Sequence, residues 1–260
     1  MTDVLIVTRA EGVAELRLNR PEAGNALNTE LKEALVAALR EVAADEAVRA
    51  VLLSGNGKAF CVGQDLADLA ATLDAEPERA SETVALHYNP ITQALATMEK
   101  PVVAAVHGTC VGAGLGFALA CDLQVWGAGI TLATAFSKVG LTCDSGLSAT
   151  LPAAVGAARA RELVLLGNPF TPEDGISWGL AGSVLPADEV IAAGAALAQR
   201  LAAGPTAAYA ASKRLLARGV AIEATLAAEA EEQARCGATT DHQAAVSAFL
   251  AKERASFVGR

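Results

Sequence analysis

Two short apolar runs, AVLLSG at 50–55 and PVVAAVHG at 101–108, each lead into a glycine-bearing loop and then a helix-compatible stretch. Runs of this length bounded by glycine read as strands. Strands alternating with helices belong to α/β architectures, in which loops at the strand ends carry the site. The same pattern begins earlier. VLIVTR (4–9) and VAELRL (13–18) form a predicted hairpin around Ala10-Glu11-Gly12. After the loop NRPEAGNALN, Asn28 is expected to cap a helix carrying Leu31, Leu35 and Leu39, with Glu30 in its first turn.

From about residue 155 the pattern turns helical, interrupted by one predicted strand, GSVLP (182–186). Alanine-rich helices are expected over 187–203, 205–218, 221–236 and 239–253, with Gly204-Pro205 as a break. This divides the chain into a core at 1–195 and a helical region at 196–260. EPERASETVALHYNP (76–90) has mixed polarity and ends at a proline, so it reads as a mobile flap over the core.

Charge and composition exclude several functions. A net charge of −9 and 4% aromatic residues suit neither a nucleic-acid partner nor an anionic membrane surface. Cys61, Cys110, Cys121, Cys143 and Cys236 form no C-x-x-C pair, so no metal site or disulfide framework is expected, only buried thiols. The start MTDVLIVTRAEG lacks a basic segment and a long apolar run, and no run reaches the ~18 residues of a membrane helix. A soluble, cytoplasmic protein is expected.

The glycines of VHGTCVGAGLGFALACD (106–122) narrow the chemistry. Their spacing is not that of a dinucleotide fingerprint. Asp122, ten residues after Gly112, is too close to bind a ribose expected ~20 residues on. No Gly-Lys-Ser/Thr follows, which excludes a P-loop. Gly112 and Gly114 instead fall where a strand gives way to a helix. A helix start presents unpaired N–H groups and a positive dipole end, and glycine lets a ligand approach them. Tight helix packing is the plainer use of such glycines. Aimed at a developing negative oxygen, such a terminus is an oxyanion hole. The loop SGNGKAFCVGQDL (54–66) has the same logic, Gly63 preceding the N–H of Gln64.

Taken in order, NRPEAGNALN, SGNGKAFCVGQDL, KPVVAAVHGTCVGAGLGFALACD and FSKVGLTCDSG resemble successive motifs of the crotonase superfamily, the enoyl-CoA hydratases and isomerases. The resemblance implies a spiral of ββα turns and a C-terminal helical region that trimerises, giving a homotrimer or hexamer. It also implies an acyl-CoA substrate whose CoA is part of the substrate, with no separate cofactor or metal. It places the two oxyanion donors at the backbone N–H groups of Gln64 and Ala113. Ala26, Gly63, Gly112 and Gly114 are expected against the substrate. Lys58 and Lys252, with Arg20, are the basic residues expected to meet the CoA phosphates.

Hydratases of the family use two glutamates, which would fall here at Gly116 and near Phe136. Both are missing, which leaves Asp144 in VGLTCDSG. Asp144 has two readings. It is an N-cap for a helix starting at Asp144-Ser145-Gly146, or, as the resemblance implies, the catalytic acid of an isomerase. FSKVGLTCDSG is most similar to the isomerase branch that acts on ring-epoxidised phenylacetyl-CoA. There one carboxyl suffices for a 1,3-proton shift or assists C–O migration. Val139, Leu141 and Leu147 are expected to desolvate the carboxylate and raise its pKa. The alternatives are an enoyl-CoA hydratase and a non-catalytic acyl-CoA binder. His87 and His107 are expected to be structural.

Overall fold

The computed structural model describes residues 3–76, 79–217 and 222–255. Strands β1 (Leu5–Ala10) and β2 (Val13–Leu18) form the expected hairpin. Its turn is shorter than the sequence implies, because Ala10 still pairs with Val13. Glu11 and Gly12 alone turn the chain, both at positive φ, as a primed two-residue turn requires. Helix α1 (Thr29–Ala44) follows. The Asn28 side chain accepts the Leu31 N–H at 3.1 Å, and Leu31, Leu35 and Leu39 face the core.

From here the chain winds as a spiral, each turn giving one strand to each of two sheets. Strands β3 (Ala50–Gly55), β5 (Val102–Val106), β7 (Leu123–Gly127) and β9 (Ser183–Leu185) extend the hairpin as a parallel sheet in the order β1-β2-β3-β5-β7-β9. Strands β4 (Ala59–Cys61), β6 (Thr109–Val111) and β8 (Leu132–Ala133) form a smaller parallel sheet beside it. Helix α2 (Leu66–Ala75) closes the first turn and α4 (Ala113–Ala120) the second, with α3 (Asn89–Thr97) between them. This is the α/β spiral of ββα units expected from the sequence.

Strand alternation explains how the large sheet is covered on both faces. Val51, Leu53, Val102, Ala104 and Val106 pack into the main core with α1 and α3. Leu52, Val103, Ala105 and Val125 point the other way, onto Val190 and Ala198 of α8 (Val190–Ala202). The position 195/196 lies inside α8. Before it come α5 (Leu147–Val155), α6 (Ala157–Leu166) and α7 (Pro172–Trp178); after it come α9 (Thr206–Ala217), α10 (Ile222–Gly237) and α11 (Thr240–Leu250). Residues 218 and 221, at the ends of two expected helices, lie outside the described residues.

The expected flap is a correction. A single wide helical turn, Val84–Tyr88, runs straight into α3, and Pro90 sits in the first turn of α3, where its missing N–H costs nothing. Val84 and Tyr88 are buried against the core, so this part of the segment is wall and not flap. Cys236 corrects the thiol expectation: it is half-buried, while the other four are buried. Among the described residues, no helix is long and apolar enough to cross a membrane.

Candidate active site

A cavity of about 710 Å³ opens where the loops after β4 and β6 meet the C-terminal helices. Gly63 and Gly112, at φ +84° and +57°, let those two loops touch. A Cβ built on Gly63 would lie 3.0 Å from the Val111 carbonyl and 3.5 Å from the Ala113 nitrogen. A larger residue at either position would be strained by backbone conformation alone. Gln64 and Ala113 therefore stand side by side on the cavity wall. Ala113 is the first residue of α4, so its N–H has no intrahelical partner. Among the described residues, neither it nor the Gln64 N–H donates to a protein acceptor.

Ala26, Gly63, Gln64, Gly112, Ala113 and Asp144 all line this cavity. Three expected substrate residues do not. A Cβ at Gly114 would meet the Cys61 carbonyl at 2.5 Å, so this glycine serves helix packing. Lys58 and Lys252 are exposed and stand away from the cavity lining. Arg20 is committed elsewhere: it pairs with Asp65 at 2.9 Å and donates to the Ala26 carbonyl.

Asp144 is 3% exposed. Its Oδ1 accepts from Ser145 Oγ at 2.8 Å and its Oδ2 from Gln233 Nε2 at 2.7 Å. Burial pushes its pKa up to about 7, against the pull of those two donors. Glu229 adds a smaller upward push. The N-cap reading of Asp144 is overturned by geometry. Helix α5 begins at Leu147, and its exposed N–H groups are met by Glu229 of α10. That carboxylate accepts from Gly146 N and Ser148 N at 2.8 Å each. A distant residue caps the helix, and Asp144 is left free of that task.

The other lining carboxylate, Asp65, is not free. It caps α2 through the Ala67 and Asp68 backbone N–H groups and pairs with Arg20. Nor is there room for a second acid on α4. A Cβ at Gly116 would overlap Ser145 Cβ and lie 2.8 Å from the Ser145 carbonyl, the residue that donates to Asp144. Phe136 lines the cavity with Val139 and Leu141 as an apolar wall.

Several site residues carry no motif. Lys32, buried on α1, donates to Thr83 Oγ1 at 2.9 Å and Gln64 Oε1 at 3.4 Å and lies 3.6 Å from Asp68; burial lowers its pKa. The Tyr88 hydroxyl also donates to Gln64 Oε1, so the Gln64 side chain is tied down while its backbone N–H stays open. His242 on α11 lies 2.6 Å through Nδ1 from the Val139 carbonyl, which places its proton there; burial lowers its pKa. Polar residues standing where helix period calls for apolar ones are the signal that finds them. Lys32 sits beside Leu31 and Leu35, and Glu229 and Gln233 share a buried stripe with Leu226. His87 bonds Thr83 at 3.1 Å and His107 bonds the Gly57 carbonyl at 2.9 Å, and neither lines the cavity. Among the described residues, no group of three or more His, Cys, Asp and Glu is placed to hold a metal ion.

A family model described as Enoyl-CoA hydratase/isomerase matches residues 8–260, and the chain belongs to that family. It is 35% identical to 1,2-epoxyphenylacetyl-CoA isomerase of Escherichia coli K12 over 262 residues, covering 100% of both chains. It is 34% identical to 2,3-dehydroadipyl-CoA hydratase of the same organism over 264 residues, covering 98% of this chain and 99% of the other. Its structure matches the crystal structure of an enoyl-CoA hydratase from Mycobacterium avium subsp. paratuberculosis K-10 with a TM-score of 0.86. That match has 30% identity and covers 95% of this chain and 99% of the other. Relatives of both chemistries thus span the whole chain, and the reaction has to be argued from the site.

Proposed function

We propose that this protein is an acyl-CoA isomerase in which one carboxyl, Asp144, moves a proton between two carbons of the acyl group. The observation that carries the reading is a buried, cavity-lining Asp144 whose pKa burial pushes up to about 7, with no second uncommitted carboxylate among the described lining residues. Hydration needs one group to activate water and another to deliver a proton, and the two glutamate positions that the resemblance implies for a hydratase fall at Gly116 and near Phe136, where no carboxyl stands.

On this reading the thioester oxygen accepts from the N–H groups of Gln64 and Ala113. Asp144 removes a proton from the carbon α to the thioester, and the C–H electron pair moves into an enolate whose charge rests on that oxygen. The carboxyl then returns the proton two carbons away. The electron pair re-forms the carbonyl, leaving the double bond shifted by one position. No atom is gained or lost. A general base whose pKa lies near the working pH is best matched to both halves of this cycle. Likeness to the epoxyphenylacetyl-CoA isomerase supports extending the substrate class to ring-bearing acyl groups, where the same carboxyl would assist C–O migration. CoA enters as part of the substrate. Assembly as a homotrimer or hexamer through the C-terminal helices belongs to the same reading.

The test is turnover of a panel of linear 3-enoyl and aromatic acyl-CoAs, with products weighed by mass spectrometry. Isomerisation preserves mass. A product heavier by one water would make the protein a hydratase, and binding without turnover across the panel would make it an acyl-CoA binder.

A further inference from the structure

Gln233 stands 89 residues from Asp144 in the chain and touches its carboxylate from α10. Only half of its amide is used. Nε2 donates to Asp144 Oδ2 at 2.7 Å, while Oε1, buried, has no hydrogen-bond partner among the described residues. Leaving a buried amide oxygen unpaired is costly, and such an atom in a native structure calls for an explanation.

A carboxyl that cycles between charged and neutral forms supplies one. We infer that Gln233 is the positioning residue of Asp144, holding the carboxylate through Nε2 and the protonated acid through Oε1. Turning the amide by half a revolution about its last bond exchanges donor for acceptor without moving α10. The carboxylate accepts from N–H; once it carries the substrate's proton on Oδ2, its O–H donates to Oε1. Ser145 Oγ serves Oδ1 in the same way, since a hydroxyl both donates and accepts. Glu229, one turn earlier on the same helix, fixes α10 against α5, so the amide is presented from an anchored backbone.

The other titratable groups around Asp144 are Glu229 on α10, Cys143 beside it, Tyr88 ahead of α3 and His242 on the shared cavity wall. Burial raises the pKa of Cys143 and Tyr88 and lowers that of His242, which favours the neutral form of each. Glu229, raised by burial, is met by the N–H groups it caps. Gln233 at Oδ2 and Ser145 at Oδ1 are thus the neutral partners that can answer both states of the acid.

This rests on Asp144 being the working acid, so its test is read without turnover. The protonated carboxyl band of Asp144 is titrated by infrared spectroscopy in the parent, in Gln233→Met and in Gln233→Leu, and is assigned by its loss in Asp144→Asn. Met keeps the length and removes the donor. Leu fills similar space with no polar group at all. Both are expected to raise the Asp144 midpoint from about 7 by about 1 unit, because the carboxylate loses a charge-assisted hydrogen bond and the neutral acid only a weaker one. Either folded variant suffices. A midpoint that stays at the parent value in a folded variant overturns the inference. A parent that titrates near 7 yet exchanges no α-proton of a bound acyl-CoA overturns the isomerase reading instead. In an active parent, Gln233→Met is expected to shift the acid limb of kcat/KM by the same amount with KM unchanged. A merely structural role would lower Tm and leave that limb in place.

Discussion

The carboxylate of Glu229 lies 2.8 Å from the amide nitrogen of Gly146, 83 residues away in the chain, and bonds Ser148 N equally closely. One charged side chain from the C-terminal helices thereby satisfies the start of α5 and fixes the loop that carries Asp144. The C-terminal helices are part of the cavity wall.

Removing that cap has a clear expected cost. Glu229→Ala leaves two N–H groups at a helix start unpaired and is predicted to destabilise the fold by about 1–3 kcal/mol. Glu229→Gln, which keeps one acceptor, is predicted to lose less. Denaturant unfolding of the two variants checks the order, and equal stability of Glu229→Ala and the parent would remove the cap from the account.

Asp144 makes a prediction about stability and pH. Its folded pKa, about 7, lies above the ordinary 3.8, so folding favours the protonated form. That advantage is complete below pH 3.8 and is lost as pH rises through about 7. Asp144→Asn, neutral throughout, is therefore predicted to match the parent near pH 4 and to exceed it progressively, by on the order of 4 kcal/mol at pH 8. Unfolding both proteins at pH 4, 6 and 8 measures the divergence. A constant difference would mean that burial does not hold the carboxyl up.

How far the residues alone lead is visible at this one loop. Strand–loop–helix order at 50–66 and 101–122 is legible because short buried strands and glycine loops are local patterns, each complete within about fifteen residues. Gln64 and Ala113 are placed on those loops, and Asp144 on FSKVGLTCDSG, by the family resemblance that the motifs carry, and all three line the cavity. Their supports carry no motif. Glu229 and Gln233 reach the site only through tertiary packing, and in the sequence they are one of four glutamates and a lone glutamine on an alanine-rich helix. Pro90 misleads for the opposite reason: a proline that ends a segment and a proline that opens a helix look alike until the first turn is placed.

The Ala113 N–H can be removed with little disturbance. Ala113 occupies the first position of α4, where proline is well tolerated because that N–H is unpaired in any helix. Ala113→Pro is predicted to fold, to bind CoA thioesters and to lose ~10²–10³ in turnover, the usual effect of deleting one oxyanion donor. Normal turnover in a folded Ala113→Pro variant would take the thioester oxygen away from this amide.

Exchange of the α-proton of a bound acyl-CoA with solvent deuterium, in the parent and in Asp144→Asn, tests the central claim most directly. Asn keeps the shape and the contacts of the carboxyl but takes up no proton. The account predicts exchange and isomerisation of a 3-enoyl-CoA by the parent, and at least ~10²-fold slower exchange in the variant at unchanged thioester affinity. Exchange at the parent rate in Asp144→Asn would show that another group takes the proton, and would contradict the mechanism.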